Sequence, residues 1–132
     1  MRHLELFAGI GGFRRAMDLL TQDHIMDFHC IGYSEIDAKA VKTYCANYHP
    51  EVDGELAMGD IVEFTSNKNN IDNLPQFDLV TGGFPCQTFS MMGKQAGFNE
   101  DRGQMFFHII DILAAKMPRY VLLENVKNLK SH

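Results

Sequence analysis

Chemistry in this sequence is most visible at a cysteine that follows a proline. Cys86 stands in Gly82-Gly83-Phe84-Pro85-Cys86-Gln87, directly after the apolar run 77–81. A reactive cysteine acts as the thiolate, so it needs a partly open, electropositive setting. Two glycines and the stiff Pro85 could present Cys86 in that way. The competing reading is a packed thiol, because free cysteine is commonly buried. Cys30 in a strand pattern and Cys45 on a helix face fit packing better, and both are read as structural. The three cysteines are odd in number and far apart, with no CxxC or Cys/His ligand spacing. A disulfide framework and a metal site are therefore not expected, and a reducing, cytoplasmic setting fits.

The second chemical feature is Gly9-Ile10-Gly11-Gly12, which follows an apolar strand pattern and opens a helical one. Glycines there let the backbone turn tightly and approach a ligand, and a helix N-terminus favours negative charge. A dinucleotide fingerprint would need a third glycine where Arg14 stands, so the match to NAD binding is incomplete. Glu35, after the second strand pattern, suits a pair of ribose hydroxyls. Asp60, after the third, could accept from an adenine amino group. A lone strand-end acid is more often a helix cap or a solvated residue, so the two gain weight only jointly. Together they describe a nucleoside ligand without an obligatory pyrophosphate, which S-adenosylmethionine fits better than NAD.

The elements that must position these residues repeat as strand, turn, helix. Residues 3–7 read as a first strand, and Phe13, Ala16, Met17 and Leu20 follow at helical spacing. Residues 28–34 read as a second strand. Asp37 is a plausible N-cap for a helix with Val41, Tyr44, Cys45 and Tyr48 on its apolar face, stopped by Pro50. A short third strand is expected at 56–58, a loop or short helix at 66–73, and a fourth strand at 77–81. The glycine-punctuated segment 84–103 reads as a long functional loop. A helix with Phe106, Ile109, Ile110 and Leu113 on one face leads to a fifth strand at 120–123, ending at Glu124-Asn125. Apolar strands alternating with helices predict an α/β fold with a parallel sheet covered on both faces. In such sheets ligands sit beyond the C-terminal strand ends, where the glycines and acids fall.

Bulk properties restrict the function. With 132 residues the chain is one domain's worth, and no apolar run approaches the roughly 18 residues of a membrane span. Glu5 and the glycine cluster interrupt any signal-peptide pattern. The formal charge is −5, from 12 Lys+Arg against 17 Asp+Glu. Duplex DNA is usually gripped by a basic footprint, so a nucleic-acid substrate would have to be held mostly from elsewhere.

Taken in order, the motifs resemble one family. They run from 6–13 (Leu-Phe-Ala-Gly-Ile-Gly-Gly-Phe) through Glu35 and Gly59-Asp60-Ile61 to Gly83-Phe84-Pro85-Cys86-Gln87. Phe89-Ser90, Gly93, Gly97, Arg102-Gly103 and finally Glu124-Asn125-Val126 complete the series. This is the order of the cytosine-C5 DNA methyltransferases, of the bacterial or phage restriction-modification type. The resemblance spans residues 4–129. It implies a Rossmann-like class I S-adenosylmethionine-dependent methyltransferase fold, with strands ordered 3-2-1-4-5.

The resemblance also implies roles. Cys86 would be the thiolate that adds to C6 of a flipped-out cytosine, and Glu124 would hold the base through N3 and N4. S-adenosylmethionine would lie against Phe7, Ala8, Gly9, Gly11, Gly12, Glu35, Ile36, Asp60, Ile61, Gly83, Pro85 and Met105. Among these, Phe7 would pack on the cofactor, Glu35 would take the ribose and Asp60 the adenine amino group. Phe84, Gln87, Ser90, Arg102, Asn125 and Val126 would meet the substrate nucleotide. Ile36 departs from the family by standing where many relatives carry an aromatic residue.

The family continues beyond the Glu-Asn-Val strand with a Gln-x-Arg-x-Arg element, a target-recognition region and a C-terminal helix, none of them in residues 1–132. The expected domain content is therefore the N-terminal part of the catalytic domain, with the fifth strand left as an open apolar edge. Expected partners are double-stranded DNA and a complementary methyltransferase segment or subunit, with no membrane. Two alternatives remain open: a module that binds S-adenosylmethionine without chemistry, and a relative acting on tRNA.

Overall fold

The computed structural model of the chain describes residues 1–85 and 105–126. The elements follow the chain as β1 (Arg2–Leu6), α1 (Gly12–Gln22), β2 (His29–Ser34), α2 (Ala38–Tyr48) and a short α3 (Pro50–Asp53). Then come β3 (Leu56–Gly59), α4 (Ile61–Ser66), α5 (Lys68–Asp72), β4 (Leu79–Pro85), α6 (Met105–Lys116) and β5 (Tyr120–Val126). The five strands form one sheet, all parallel, in the order β3-β2-β1-β4-β5. That is the expected Rossmann-like arrangement, with β1 central and the glycine turn leaving its C-terminal end.

Side chains alternate across β1, so the two faces of the sheet differ in chemistry. Leu4 and Leu6 point into an apolar core with Ile31, Met58, Ile61, Ile71, Phe77, Val80, Ile109 and Ile112. This face is covered by α4, α5 and α6. Polar ties close it at its rim. Thr65 Oγ1 of α4 lies 2.6 Å from His108 Nδ1 of α6, and Lys116 Nζ donates to the Leu74 carbonyl at 2.7 Å. His3 and Glu5 point to the opposite face, under α1 and α2, where Tyr33 and Tyr44 stack at 4.2 Å between ring centroids.

Several expected boundaries shift. β1 ends at Leu6 because Phe7 adopts a left-handed backbone, φ 53°. β4 begins at Leu79 and runs through Gly82 and Gly83 to Pro85, beyond the expected end at Thr81. Gly82 belongs inside the strand because a Cβ there would stand 3.3 Å from the Leu6 carbonyl oxygen of β1. β5 likewise runs to Val126, so Glu124 and Asn125 lie within the strand instead of after it; the register pairs Gly83 with Glu124 and Pro85 with Val126. Pro50 does not simply stop α2: His49 turns left-handed, φ 51°, and Pro50 opens α3 as its first residue. This suits proline's missing N–H. The 66–73 stretch contains α5, capped by the Asn67 side chain on the Asn69 amide.

Helix faces were legible only in part. In α1 the buried residues are Arg14 and Met17, while Ala16 is exposed; in α6 they are Ile109 and Ile112, with Ile110 39% exposed. On the outer side of the sheet, Tyr120, Val121 and Leu122 of β5 are each close to half exposed. Among the described residues β5 pairs only with β4. No helix among them is long and apolar enough to cross a membrane.

Candidate cofactor and base-binding site

The C-terminal ends of β1, β2, β3 and β4 surround a cleft of about 340 Å³. Its walls are Phe7, Gly9, Ser34, Glu35, Ile36, Gly59, Asp60, Ile61, Gly83 and Met105. The volume lies within the range of small-molecule sites, and the mixture of apolar walls with a few acids is typical of them. Gly9 and Gly59 both have positive φ, 59° and 68°, and a Cβ at either would meet only open space. Glycine serves the backbone conformation at these two positions. A second cleft of about 510 Å³, lined by Phe7, Ala8, Ile10, Gly12, Phe13, Ala16, Gly83 and Glu124, adjoins the first. Phe7 and Gly83 wall both. The strand ends therefore bring Glu124 to the neighbourhood of the two acids through one shared wall.

Ser34 and Glu35 hold the glycine turn against the sheet. The Phe7 amide donates to Ser34 Oγ at 3.1 Å, and the Ala8 amide to the Ser34 carbonyl at 2.8 Å. Glu35 Oε1 accepts from the Gly9 amide at 2.8 Å, while Oε2 accepts from the amides of Ile36 at 3.1 Å and Asp37 at 3.0 Å. Glu35 thus fixes the turn as well as facing the cleft, a function its sequence position did not suggest. Asp60 is the N-cap of α4, its Oδ1 accepting from the Val62 amide at 2.9 Å. Asp60 is therefore a helix cap that also lines the cleft. Asp37 caps α2 on the Lys39 amide, as expected.

Ile36, 65% exposed, leaves an aliphatic rather than aromatic wall. Phe84 is a core residue, 7% exposed, with its ring 5.8 Å from Phe106, and is absent from the linings of both clefts. Asn125, Val126 and Pro85 contribute backbone to the β4–β5 ladder. Cys86, Gln87, Ser90 and Arg102 lie outside the described residues. Among the described residues no group of three or more His, Cys, Asp or Glu could hold a metal ion.

Beneath the glycine turn lies a polar cluster that pattern reading missed. Arg14 Nη1 bonds Glu55 Oε1 and also the Tyr44 hydroxyl at 3.2 Å, and that hydroxyl donates to Glu55 Oε2 at 2.5 Å. Asp18 accepts from Arg14 Nε at 3.2 Å. Burial works against the Arg14 charge, but Glu55 more than offsets it and holds the guanidinium above its ordinary range. Burial pushes the Cys30 thiol up to about 12, with the charge of Glu55 adding to it, so Cys30 is an inert packed thiol. Glu5 is fully buried, and among the described residues neither carboxylate oxygen has a hydrogen bond of good geometry; burial pushes its pKa up to about 8, with the nearby Arg14 amide pulling the other way. His3, whose Nε2 lies 2.8 Å from Thr81 Oγ1, is pushed down to about 4 by burial and then by the Arg14 charge. His3 and Glu5, alternating with leucines along β1, were the sequence signals for this cluster.

Comparison with known proteins agrees with the fold. The family model for C-5 cytosine-specific DNA methylase matches residues 1–132. The chain is 42% identical over its whole length to the orphan methyltransferase M.Rho11sI of Bacillus phage rho11s, covering 24% of that protein. It is 43% identical over 129 residues to the type II methyltransferase M.HpaII of Haemophilus parainfluenzae, covering 98% of this chain and 32% of the relative. For the type II methyltransferase M.NlaX of Neisseria lactamica the figures are 43% identity over 129 residues, 98% and 37%. The chain thus spans about a quarter to just over a third of the length of these curated relatives. It belongs to the C-5 cytosine-specific DNA methylase family.

Proposed function

We propose that this chain is the cofactor-binding N-terminal part of a DNA (cytosine-5-)-methyltransferase, completed by a further segment or subunit that supplies the DNA-reading surface. One observation carries the reading: the cleft with Glu35 and Asp60 shares Phe7 and Gly83 with the cleft that holds Glu124. A cofactor in the first would be a near neighbour of a base in the second. The acidic balance of the chain supports placing the DNA grip elsewhere.

The residues present fit S-adenosylmethionine. Phe7, Ile36, Ile61 and Met105 offer apolar contact to an adenine, Asp60 an acceptor for its amino group, and Glu35 an acceptor for ribose. A carboxylate accepts about four hydrogen bonds. Glu35 already takes three from backbone amides, so a ribose hydroxyl would share this carboxylate with the turn it anchors. The cofactor supplies an electrophilic methyl on a sulfonium.

C5 of cytosine is a weak nucleophile, and the chain's residues would correct this in turn. The Cys86 thiolate adds to C6, and its electron pair raises the electron density at C5. Glu124 hydrogen-bonds the ring at N3 and N4 while that density builds. After C5 has taken the methyl, a base removes the C5 proton; the C5–H electrons re-form the double bond and expel the thiolate. The target atom is unreachable in stacked duplex, so the nucleotide must be flipped out.

The test uses the full-length protein that carries this chain. It should transfer labelled methyl to DNA and form a covalent adduct with 5-fluorocytosine DNA, and Cys86→Ser should abolish both. Transfer surviving Cys86→Ser would refute the nucleophile. Cofactor binding with no adduct would mark a binding module, and transfer only to tRNA would move the substrate class.

A further inference from the structure

The geometry points to Tyr48, a residue outside the cofactor cleft, as a positioning residue that locks the Gly9–Gly12 turn in its ligand-binding shape. This inference rests on the cofactor reading above for its ligand, but not for the lock itself.

Gly11 is the N-cap of α1, with φ 97° and no side-chain cap. Among the described residues, Ser34 and Glu35 at the β2 end hold the turn from one side and α2 holds it from the other. From α2 the Tyr48 hydroxyl donates to the Gly11 carbonyl oxygen at 3.0 Å. The same oxygen accepts the Arg15 amide at 2.8 Å, the first hydrogen bond of α1. One bond therefore joins the start of α1, the last turn of α2 and the glycine turn.

Packing agrees with the bond. A Cβ added at Gly11 would overlap the Tyr48 ring and stand 3.1 Å from Tyr44 Cδ2, so the backbone rests directly on the two rings. The Tyr48 ring lies 4.9 Å from Tyr44 and carries the Arg14 guanidinium carbon 5.0 Å from its centroid. Tyr44 and Arg14 are fixed in turn by Glu55. The buried cluster thus reaches the ligand site through Tyr48. A turn gripped at Gly9 by Glu35 and at Gly11 by Tyr48 loses little conformational freedom when a ligand arrives, which is how preorganisation raises affinity.

Two measurements on Tyr48→Phe in the full-length protein test this. Phenylalanine keeps the ring and removes the hydroxyl, and the melting curve checks that the fold is kept. In the ligand-free protein, amide exchange at Gly9 and Gly11 should quicken severalfold, with the cap amides of Lys39 and Val62 as unchanged references. By calorimetry the Kd for S-adenosylmethionine should rise roughly threefold to tenfold, the range for one net hydrogen bond. Unchanged exchange at Gly9 and Gly11 would overturn the lock. Faster exchange with a Kd equal to wild type would overturn the preorganisation, because the turn would then be held by Tyr48 without any gain for the ligand. If the wild-type protein binds no S-adenosylmethionine, the cofactor reading fails, and the exchange result alone then decides whether Tyr48 holds the turn.

Discussion

The two faces of this sheet are built on different principles. Beneath α4, α5 and α6 the contacts are almost wholly apolar, with Leu4, Leu6, Val80, Ile109 and Ile112 fully buried. Beneath α1 and α2 the sheet carries His3, Glu5 and Thr81, all fully buried, opposite Arg14, Glu55 and Tyr44. Apolar burial is non-directional and tolerates small shifts. A charged network requires each partner at its distance and angle, and an unmet one is costly. The directional face is the one that carries the glycine turn. Stability and placement are thus assigned to opposite sides of one sheet.

The sharpest way to break this contrast is to remove Arg14. Its loss leaves Glu55 and the Tyr44 hydroxyl buried without their cation, and breaking a buried ion pair costs about 3–5 kcal/mol. Arg14→Ala should lower stability by that amount in denaturant titration, and Arg14→Met combined with Glu55→Leu should recover most of it. A cost below about 1 kcal/mol for Arg14→Ala would mean the cluster is only a set of independent contacts. On the opposite face Ile109→Ala should cost about 3 kcal/mol through lost burial and a cavity. This loss should be the same with and without Arg14, since Arg14 and its partners pack on the opposite face. A loss at Ile109 that changes when Arg14 is removed would show the two faces to be coupled.

Titration sharpens the same comparison. Glu5 is raised from 4.5 to about 8, so its contribution is complete below 4.5 and is lost as pH climbs to 8. His3 is lowered from 6.5 to about 4, so its contribution is complete above 6.5 and is lost as pH falls through 4. Between 4.5 and 6.5 the two slopes oppose, and above 6.5 Glu5 acts alone. Wild-type stability should therefore fall by roughly 2 kcal/mol between pH 6.5 and 8, whereas Glu5→Gln should be flat across that window. Equal slopes in the two proteins would remove Glu5 as the source.

The apolar face was the legible one. Periodicity found the strands and the helices α1, α2 and α6, but neither α3 nor α4, and the motif series carried the strand order. Boundaries failed where glycine stood inside a strand. Gly82 and Gly83 read as a turn, yet Gly82 continues β4, paired with Leu6 and Leu123 where a Cβ would stand a tight 3.3 Å from the Leu6 carbonyl oxygen. The polar face was nearly silent. Arg14 drew notice only as a missing third glycine, and Glu55 drew none, since their pairing depends on β3 and α1 meeting in three dimensions. Glu35 and Asp60 were found from their strand-end positions, but their bonds to Gly9 and Val62 could not be read from sequence spacing.

Asp60 combines an observed helix cap with the proposed adenine contact, and a small substitution separates the two. As N-cap of α4 it needs only a short acceptor on the Val62 amide, and serine caps about as well as aspartate. As an acceptor for an adenine amino group it needs the reach and charge of the carboxylate. Asp60→Ser should therefore change stability by no more than about 0.5 kcal/mol while weakening S-adenosylmethionine roughly tenfold in calorimetry. Asp60→Ala, which loses the cap too, should add about 1 kcal/mol of instability to the same loss of affinity. If Asp60→Ser binds the cofactor like wild type, Asp60 is a cap that happens to face the cleft, and the adenine must find its acceptor elsewhere. If it destabilises as much as alanine does, the cap geometry demands the carboxylate, and the two functions of Asp60 cannot be divided.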